Sequence, residues 1–442
     1  MSRALAAPLY FALYFAFALL PLQAAMIADP HLIPRGFPVE FAVGIGFVAY
    51  SLILLELVLV TRLRTLSDAF GADTLLQFHR ALAGVGAAFL LSHVLGLIMT
   101  SSAWSALNPL AGSAAMRTGA VAFWSMLLLL VSSRWRRQLR MSYDFWNRIH
   151  RLSSVVLLLS ATAHVLLVSG YTAAPMVRNV VLALALMFAA LMGNYTLLRP
   201  LRLWQRSWRV VRNESLGGDT RLLTVTPIGH PGFTFAPGQF SWLISGRSPY
   251  SRQQHPITIA SSAESASSIG SQDYAIKKLG DWSRDVVPAL TPGARIWVEG
   301  PYGALSADRL PGQGFVLIAG GIGITPMRAI LLTLRDRRDR RPCVLFYAAN
   351  DFSRVVFRNE FDDLCRYLDL KVVYVLEHPT GDYFGERGRI DRAMLDRHLP
   401  EPRRHFQYLI CGPNPMMDSI ESLLLDLGVP DDRVHSERFD QV

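Results

Sequence analysis

Two stretches of the chain place histidine at one spacing. His79-Arg80 is followed by His93, and His150-Arg151 by His164, each pair fourteen residues apart and each continuing His-Val-Leu at its second member. Both stretches are apolar and helical in texture. Fourteen residues of α-helix rise about 21 Å and return to within about 40° of the same direction, so one helix face carries a histidine at two levels. Two such helices side by side supply four imidazoles in two layers, which is what two stacked bis-histidine haems require. Ionisable residues inside lipid-spanning helices mark function. Polar packing between helices accounts for one such histidine readily, but poorly for a duplicated, equally spaced set. Arg80 and Arg151, each beside a first histidine, are candidates to pair with haem propionates, because guanidinium matches carboxylate in charge and geometry. Their ordinary alternative is placement on a basic membrane face.

Helices of the right length must carry these groups. The chain has 442 residues and is 51% hydrophobic, and nearly all its long apolar runs fall before residue 200. Six spans are expected, at roughly 5–26, 39–60, 75–99, 117–133, 145–169 and 177–197, each near the ~20 residues a bilayer needs. Arg62 and Arg64 follow the second, Arg134, Arg136, Arg137 and Arg140 the fourth, and Arg199, Arg202 and Arg206 the sixth. The opposite loops hold only Arg35, Arg117 and Arg178. Cytoplasmic loops collect basic residues, so both termini are expected in the cytoplasm, with His79 and His150 near the inner face and His93 and His164 near the outer one. A signal peptide is the alternative for the first run, with Arg3 before it and Ala24 and Ala25 after it. Its length, with Pro8 and Pro21 inside, favours a span.

The net charge of +10 is largely met by those basic loops, and nucleic acid is not needed to explain it. All three cysteines, Cys343, Cys365 and Cys411, lie in the second half without a CxxC pair, which argues against a thiol redox couple or zinc knuckle and suits a reducing cytosol. The basic run Arg335 to Arg341 reads as a solvated helix end.

After Trp204 the texture changes to short strands separated by Gly, Pro and Ser. Residues 209–211, 220–227, 240–243, 256–260, 273–278 and 295–299 are strand candidates of an antiparallel barrel. From Gly314 the pattern becomes strand, glycine turn and helix, as in a parallel α/β unit, with strands at 315–319, 344–348, 371–376 and 408–411. Within it Phe315-Val-Leu-Ile-Ala319 runs into Gly320-Gly321-Ile-Gly323-Ile-Thr325-Pro326 and then a helix. Glycines at such a turn let the backbone approach a pyrophosphate, whose charge meets the helix N-terminus. A purely structural turn reads the same way.

His255-Pro256-Ile257-Thr258, Ile276-Lys277-Lys278-Leu-Gly280-Asp-Trp282-Ser283, Glu299-Gly-Pro-Tyr-Gly303, Cys411-Gly412-Pro413 and Glu437-Arg-Phe439 complete the pattern. On these motifs the second half resembles the ferredoxin–NADP reductase superfamily. The whole chain, from about residue 5 to 440, resembles its ferric reductase and NADPH oxidase branch, with a six-helix haem domain. The resemblance implies three domains: a multi-pass α-helical membrane domain at 1–204, an antiparallel β-barrel FAD domain at 205–305 and an α/β NAD(P)-binding domain at 306–442. It places His255 near FAD phosphate and Thr258 at the flavin ring, with Ile257 where the family usually has an aromatic. It assigns Lys277 or Lys278 and the Gly280 to Ser283 segment to the pyrophosphate, and Gly320, Gly321, Gly323, Thr325 and Pro326 to the nicotinamide nucleotide. Cys411, Gly412 and Pro413 fall beside the nicotinamide, and Glu437 and Phe439 guard the flavin face. Phe439 is followed by three residues, unlike the family's terminal aromatic.

In the loop 350–354, an acidic residue such as Asp351 favours NADH, and Ser353 with Arg354 favours NADPH; NADPH is the expectation, with NADH the alternative. A nicotinamide gives up two electrons together, a haem takes one, and FAD converts between them. The expected order is therefore NAD(P)H, FAD, inner haem, outer haem and an external acceptor, in a multi-pass protein of the inner cell membrane. Residues 101–116 offer no acidic, Cys or His cluster for iron, which favours oxygen reduced to superoxide over a ferric chelate. Handing electrons to a periplasmic partner protein is a further alternative. So is a reductase whose helices serve only as an anchor.

Overall fold

The computed structural model describes residues 3–28, 35–101, 104–251, 253–379 and 381–438. Its chain divides into two compact units, Met1–Phe70 with Thr74–Leu197, and Gly71–Asp73 with Leu198–Val442.

The helices of the first half are α1 (Arg3–Ile27), α2 (Phe37–Val60), α3 (Arg64–Phe70), α4 (Ala72–Ser101), α5 (Ala114–Arg134), α6 (Tyr143–Leu167) and α7 (Pro175–Gly193). Among the described residues, six helices are long and apolar enough to cross a membrane, all of these but short α3, in agreement with the six expected spans. Each begins two or three residues earlier than expected. Ser113 caps α5 by accepting the Met116 N–H at 3.3 Å, and Pro175 opens α7 at a position where its missing N–H costs nothing. Arg117 and Arg178, expected in loops, therefore lie in first helical turns. Apart from Glu40 and Glu56, helix α2 is apolar all round, as suits a helix enclosed by others. Its residues Leu52, Ile53, Leu54 and Leu55 pack with Met126 and Leu129 of α5, Leu157 of α6, and Leu184 and Phe188 of α7.

The second unit opens on α8 (Arg199–Trp204) and holds two sheets. Strands β1 (Ser207–Gly217), β2 (Thr220–Pro227), β3 (Phe240–Ile244), β4 (Gln254–Thr258), β5 (Gln272–Lys277) and β6 (Arg295–Tyr302) form an antiparallel sheet in the order β4-β3-β6-β1-β2-β5. Helix α9 (Ala263–Ile269) links β4 to β5. The Ala260 N–H donates to the Asp273 carbonyl at 2.8 Å, drawing the two edge strands together as a barrel needs. Inward residues Trp208, Val210, Leu223, Val225, Tyr274 and Ile276 alternate with outward ones and fill the interior. Strand β1 outruns its expected extent because Gly217, Gly218 and Asp219, at φ 84°, 53° and 59°, turn it tightly into β2.

The other sheet alternates with helices: β7 (Gly314–Gly320), α10 (Ile324–Asp336), β8 (Cys343–Ala349), α11 (Arg358–Leu364), β9 (Leu370–Leu376), β10 (Glu386–Arg387), α12 (Arg392–His398), β11 (Phe406–Cys411), α13 (Asn414–Asp426) and β12 (Val434–Ser436). Its strands are parallel, in the order β10-β9-β8-β7-β11-β12. Buried on both faces, β7, β8 and β11 read as continuous apolar runs. Strand order reverses between β7 and β11, which opens a crevice beyond their C-terminal ends.

Candidate functional site

The four histidines meet in two pairs. The rings of His79 on α4 and His150 on α6 stand 6.3 Å apart at 76°, and those of His93 and His164, on the same two helices, 6.4 Å apart at 75°. Metal–imidazole bonds of about 2.0 to 2.1 Å, each extended by roughly 1.1 Å to the ring centre, give about 6.3 Å between rings that share one metal ion. Among the described residues no group of three or more His, Cys, Asp or Glu is gathered for a metal, so these are two-ligand sites.

Three imidazoles are hydrogen-bonded at Nδ1, and the fourth has a carboxyl beside that atom. The Nδ1 of His93 lies 2.8 Å from the Ala42 carbonyl of α2, and that of His164 lies 2.8 Å from the Ala115 carbonyl of α5. His150 Nδ1 is 3.3 Å from the Ser133 hydroxyl, which also accepts the Trp146 indole N–H at 3.3 Å. His79 Nδ1 lies against the Glu56 carboxyl. Engaging Nδ1 fixes ring orientation and leaves Nε2 as the nitrogen available for a metal.

Space for two of the rings comes from glycine. A Cβ at Gly46 would lie 2.5 Å from His93 Nδ1, and one at Gly119 would lie 2.7 Å from His164 Nδ1. Each glycine stands four residues after the alanine whose carbonyl receives the ring, so Ala42-xxx-Gly46 and Ala115-xxx-Gly119 are one device used twice. The sequence singles out the four histidines but not this support, although the repeated Ala-xxx-Gly was its visible signal. Arg80 and Arg151 are exposed on the protein surface. The residues present thus fit two haems, each between a pair of imidazoles.

In the antiparallel sheet, Thr258 pairs with Phe240, and Phe240 with Tyr302. Glu437, 3% exposed, brings its carboxyl against the turn that follows: the Ala304 N–H donates to Oε1 at 3.4 Å, and a Cβ at Gly303 would lie 3.0 Å from that oxygen. Thr258, Gly303 and Glu437 are therefore gathered at one end of the sheet. Phe439 lies outside the described residues. His255 stacks on Trp282 at 4.1 Å between rings, and Ile257 packs toward the barrel core. Pro256 pairs with Trp242 across β3 and β4. The Ser283 hydroxyl accepts the Leu279 and Gly280 N–H groups, each at 2.9 Å, so these two amides stabilise the loop itself. Lys278 is exposed, whereas a Cβ at Gly321 would lie 3.8 Å from Lys277 Nζ. The structure thus brings one of the two lysines to the glycine turn.

That turn and the Cys411 segment flank the crevice between β7 and β11. A Cβ at Gly323 would lie 2.1 Å from the Cys411 carbonyl, one at Gly320 2.6 Å from Met416 Sδ, and one at Gly412 3.1 Å from Gly320 Cα. Glycine is required here for contact between two backbones. Helix α10 starts at Ile324 without an acidic residue in its first turn, which leaves its N-terminus electropositive. Pro326 stands in that turn, Thr325 bonds back to the Ile322 carbonyl at 3.0 Å, and Pro413 precedes α13. In the 350–354 loop, Asp351 accepts the Ser353 N–H at 2.8 Å and its hydroxyl at 2.5 Å, and lies 3.8 Å from Arg354 Nε. The Ser353 hydroxyl, first among several contacts, holds the Asp351 carboxyl below the usual carboxylate range.

Buried Arg328, which sequence reasoning also missed, joins the two sheets. From α10 it donates to the Ala260 carbonyl at 2.8 Å, grips Glu360 with two bonds of 2.7 and 2.9 Å, and stands 3.5 Å from Asp273.

Residues 45–161 match the ferric reductase like transmembrane component, and residues 317–422 match the oxidoreductase NAD-binding domain. NADH-cytochrome b5 reductase 1 of Candida albicans is 31% identical over 179 residues, covering 39% of this chain and 60% of that protein. Nitrate reductase [NADPH] of Emericella nidulans is 25% identical over 264 residues, 54% of this chain and 30% of that one. The chain thus spans from about a third to three fifths of the length of these two relatives. A flavohemoglobin from Malassezia yamatoensis superposes with a TM-score of 0.50 at 19% identity, covering 82% of this chain and 98% of that one, a likeness of fold. One chain thus carries both matches, to a ferric reductase like transmembrane component and to an oxidoreductase NAD-binding domain. Its six long apolar helices and the first of these matches make it a multi-pass membrane protein.

Proposed function

We propose that this protein is an NAD(P)H-dependent oxidoreductase that carries electrons across the membrane, with FAD and two b-type haems as resident cofactors. The donor is cytosolic NAD(P)H, and the acceptor on the opposite face is oxygen, yielding superoxide. The reductase half and both termini face the cytoplasm of the inner membrane, with boundaries between the three domains near 204 and 305. The observation that carries the reading is the matched pair of histidine separations, 6.3 and 6.4 Å: a helical anchor has no use for four imidazoles set at metal-sharing distance on two levels.

Bound FAD would accept hydride and release single electrons, and haem would hold one electron at a time. The chain supplies the rest. His79 with His150 and His93 with His164 would each hold one haem through two imidazoles, leaving no open position on the metal for oxygen. Arg80 and Arg151 meet propionates. Thr258, His255, Lys277 and the segment to Ser283 orient the flavin, and Glu437 shields its face from water. Gly320, Gly321 and Gly323 admit the nucleotide pyrophosphate to the start of α10, Cys411 lies beside the nicotinamide, and Arg354 meets the additional phosphate of NADPH. The match to a ferric reductase like component favours a ferric chelate as second acceptor.

The test is the visible spectrum of the purified, FAD-supplemented chain under anaerobic conditions. NADPH is expected to raise a reduced b-type haem band that air erases. A band raised by dithionite but by neither NADPH nor NADH would overturn the assignment of the electron source.

A further inference from the structure

We propose that Glu56 is a positioning residue that makes the metal site of His79 and His150 harder to reduce than the site of His93 and His164. The inference rests on the haem reading above.

Helices α2 and α5 do the same work at one level and different work at the other. At the His93 and His164 level each presents an alanine carbonyl at 2.8 Å and a glycine floor. At the His79 and His150 level, α5 offers the Ser133 hydroxyl at 3.3 Å, whereas α2 offers a carboxyl. Glu56 and His79 are both enclosed, with 12% and 19% of their side chains exposed. An acidic group within a membrane helix is costly unless it is satisfied, and the group that Glu56 lies against is His79 Nδ1.

Ligand type and ring separation are nearly the same at the two levels, so the groups behind the rings are a source of difference that single substitutions can isolate. A carboxyl on Nδ1 takes more of the N–H proton than a carbonyl or hydroxyl does and makes the imidazole a stronger donor through Nε2. A stronger donor favours the oxidised, more positive metal over the reduced one. Electrons shared between the levels then collect at His93 and His164. The asymmetry gives the pair of sites a direction that the ligands alone do not.

The experiment is potentiometric titration of the detergent-purified full-length holoprotein, resolving two one-electron components. In Glu56→Gln the lower-potential component is expected to become at least tenfold easier to reduce, an upward shift of about 59 mV for one electron, while the other stays in place. Ser133→Ala is expected to leave the lower component below the upper. Two unmoved components at full haem content, or an equal shift of both, would overturn the proposal. If Glu56→Gln holds fewer than two haems, Glu56→Asp, which draws the carboxyl back from Nδ1, decides by the same upward shift. Failure of both variants to hold a second haem would leave Glu56 a structural support only and overturn the tuning role. A wild-type chain with fewer than two haems would instead defeat the underlying reading before any variant is compared.

Discussion

Gly46 lies so close beneath the His93 imidazole that a Cβ added to it would sit 2.5 Å from Nδ1. Glycine on a transmembrane helix commonly lets a second helix approach; here it admits a side chain. Gly46→Ala and Gly119→Ala should each displace one imidazole, overpacking by about 1–3 kcal/mol and lowering haem content from two toward one per chain. Gly84, with nothing within 4 Å of its Cβ position, is the control: Gly84→Ala should retain two haems by the pyridine haemochrome assay.

The two levels should be separable. Replacing His93 and His164 together by alanine is expected to remove one haem and leave the other reducible by NADPH. Loss of both cofactors from that double variant would mean the levels do not hold their cofactors independently.

Arg328 is a buried charge with three acceptors from three segments. Removing one partner of such a set costs about 3–5 kcal/mol. Arg328→Ala should therefore unfold the reductase half at clearly lower temperature, with flavin fluorescence rising early, and Arg328→Lys should recover part of the loss.

Acid stability has a readable contributor. Burial pushes the Asp336 carboxyl up, but hydrogen bonds from Ser262 and Ser265 and the Arg335 guanidinium outweigh it and hold the group below its ordinary range. A depressed folded value stabilises fully above the unfolded value of about 3.9 and is lost as pH falls through the folded one. Asp336→Asn should lower stability at neutral pH and flatten its decline below about pH 4, seen as melting temperature against pH.

Nicotinamide choice turns on the 350–354 loop. With Asp351 taken up by Ser353 and close to Arg354, its carboxylate is poorly free to bind ribose hydroxyls. Arg354→Ser should reduce kcat/KM for NADPH relative to NADH by tenfold or more, about 1.4 kcal/mol. An unchanged ratio would place the phosphate contact elsewhere.

Much of this architecture was legible because its signals are periodic or local. Histidines at a fourteen-residue interval declare a helix face, and Gly320-Gly-Ile-Gly323 after five apolar residues declares a strand-to-helix turn. What escaped depends on contacts distant in sequence. Glu56 and Ser133 gain meaning only when α2 lies on α4 and α5 on α6, and Arg328 looks like any helix cation until Ala260 and Glu360 close around it. Strands β10 and β12, two and three residues long, carry too little pattern to be seen. The early starts of α5 and α7 were hidden by Arg117 and Arg178, which read as loop residues although Ser113 and Pro175 begin the helices before them.

Each histidine pair draws one member from α4 and one from α6, and each of those helices is steadied by a different neighbour, α2 or α5. Neither hairpin owns a complete site. On the proposed function, haem would be captured during synthesis only after α6 has been inserted beside α4, so loading would report that the bundle has been assembled. Held there as proposed, the haems would keep both hairpins in place by mass action, and haem supply would then set the lifetime of the membrane domain.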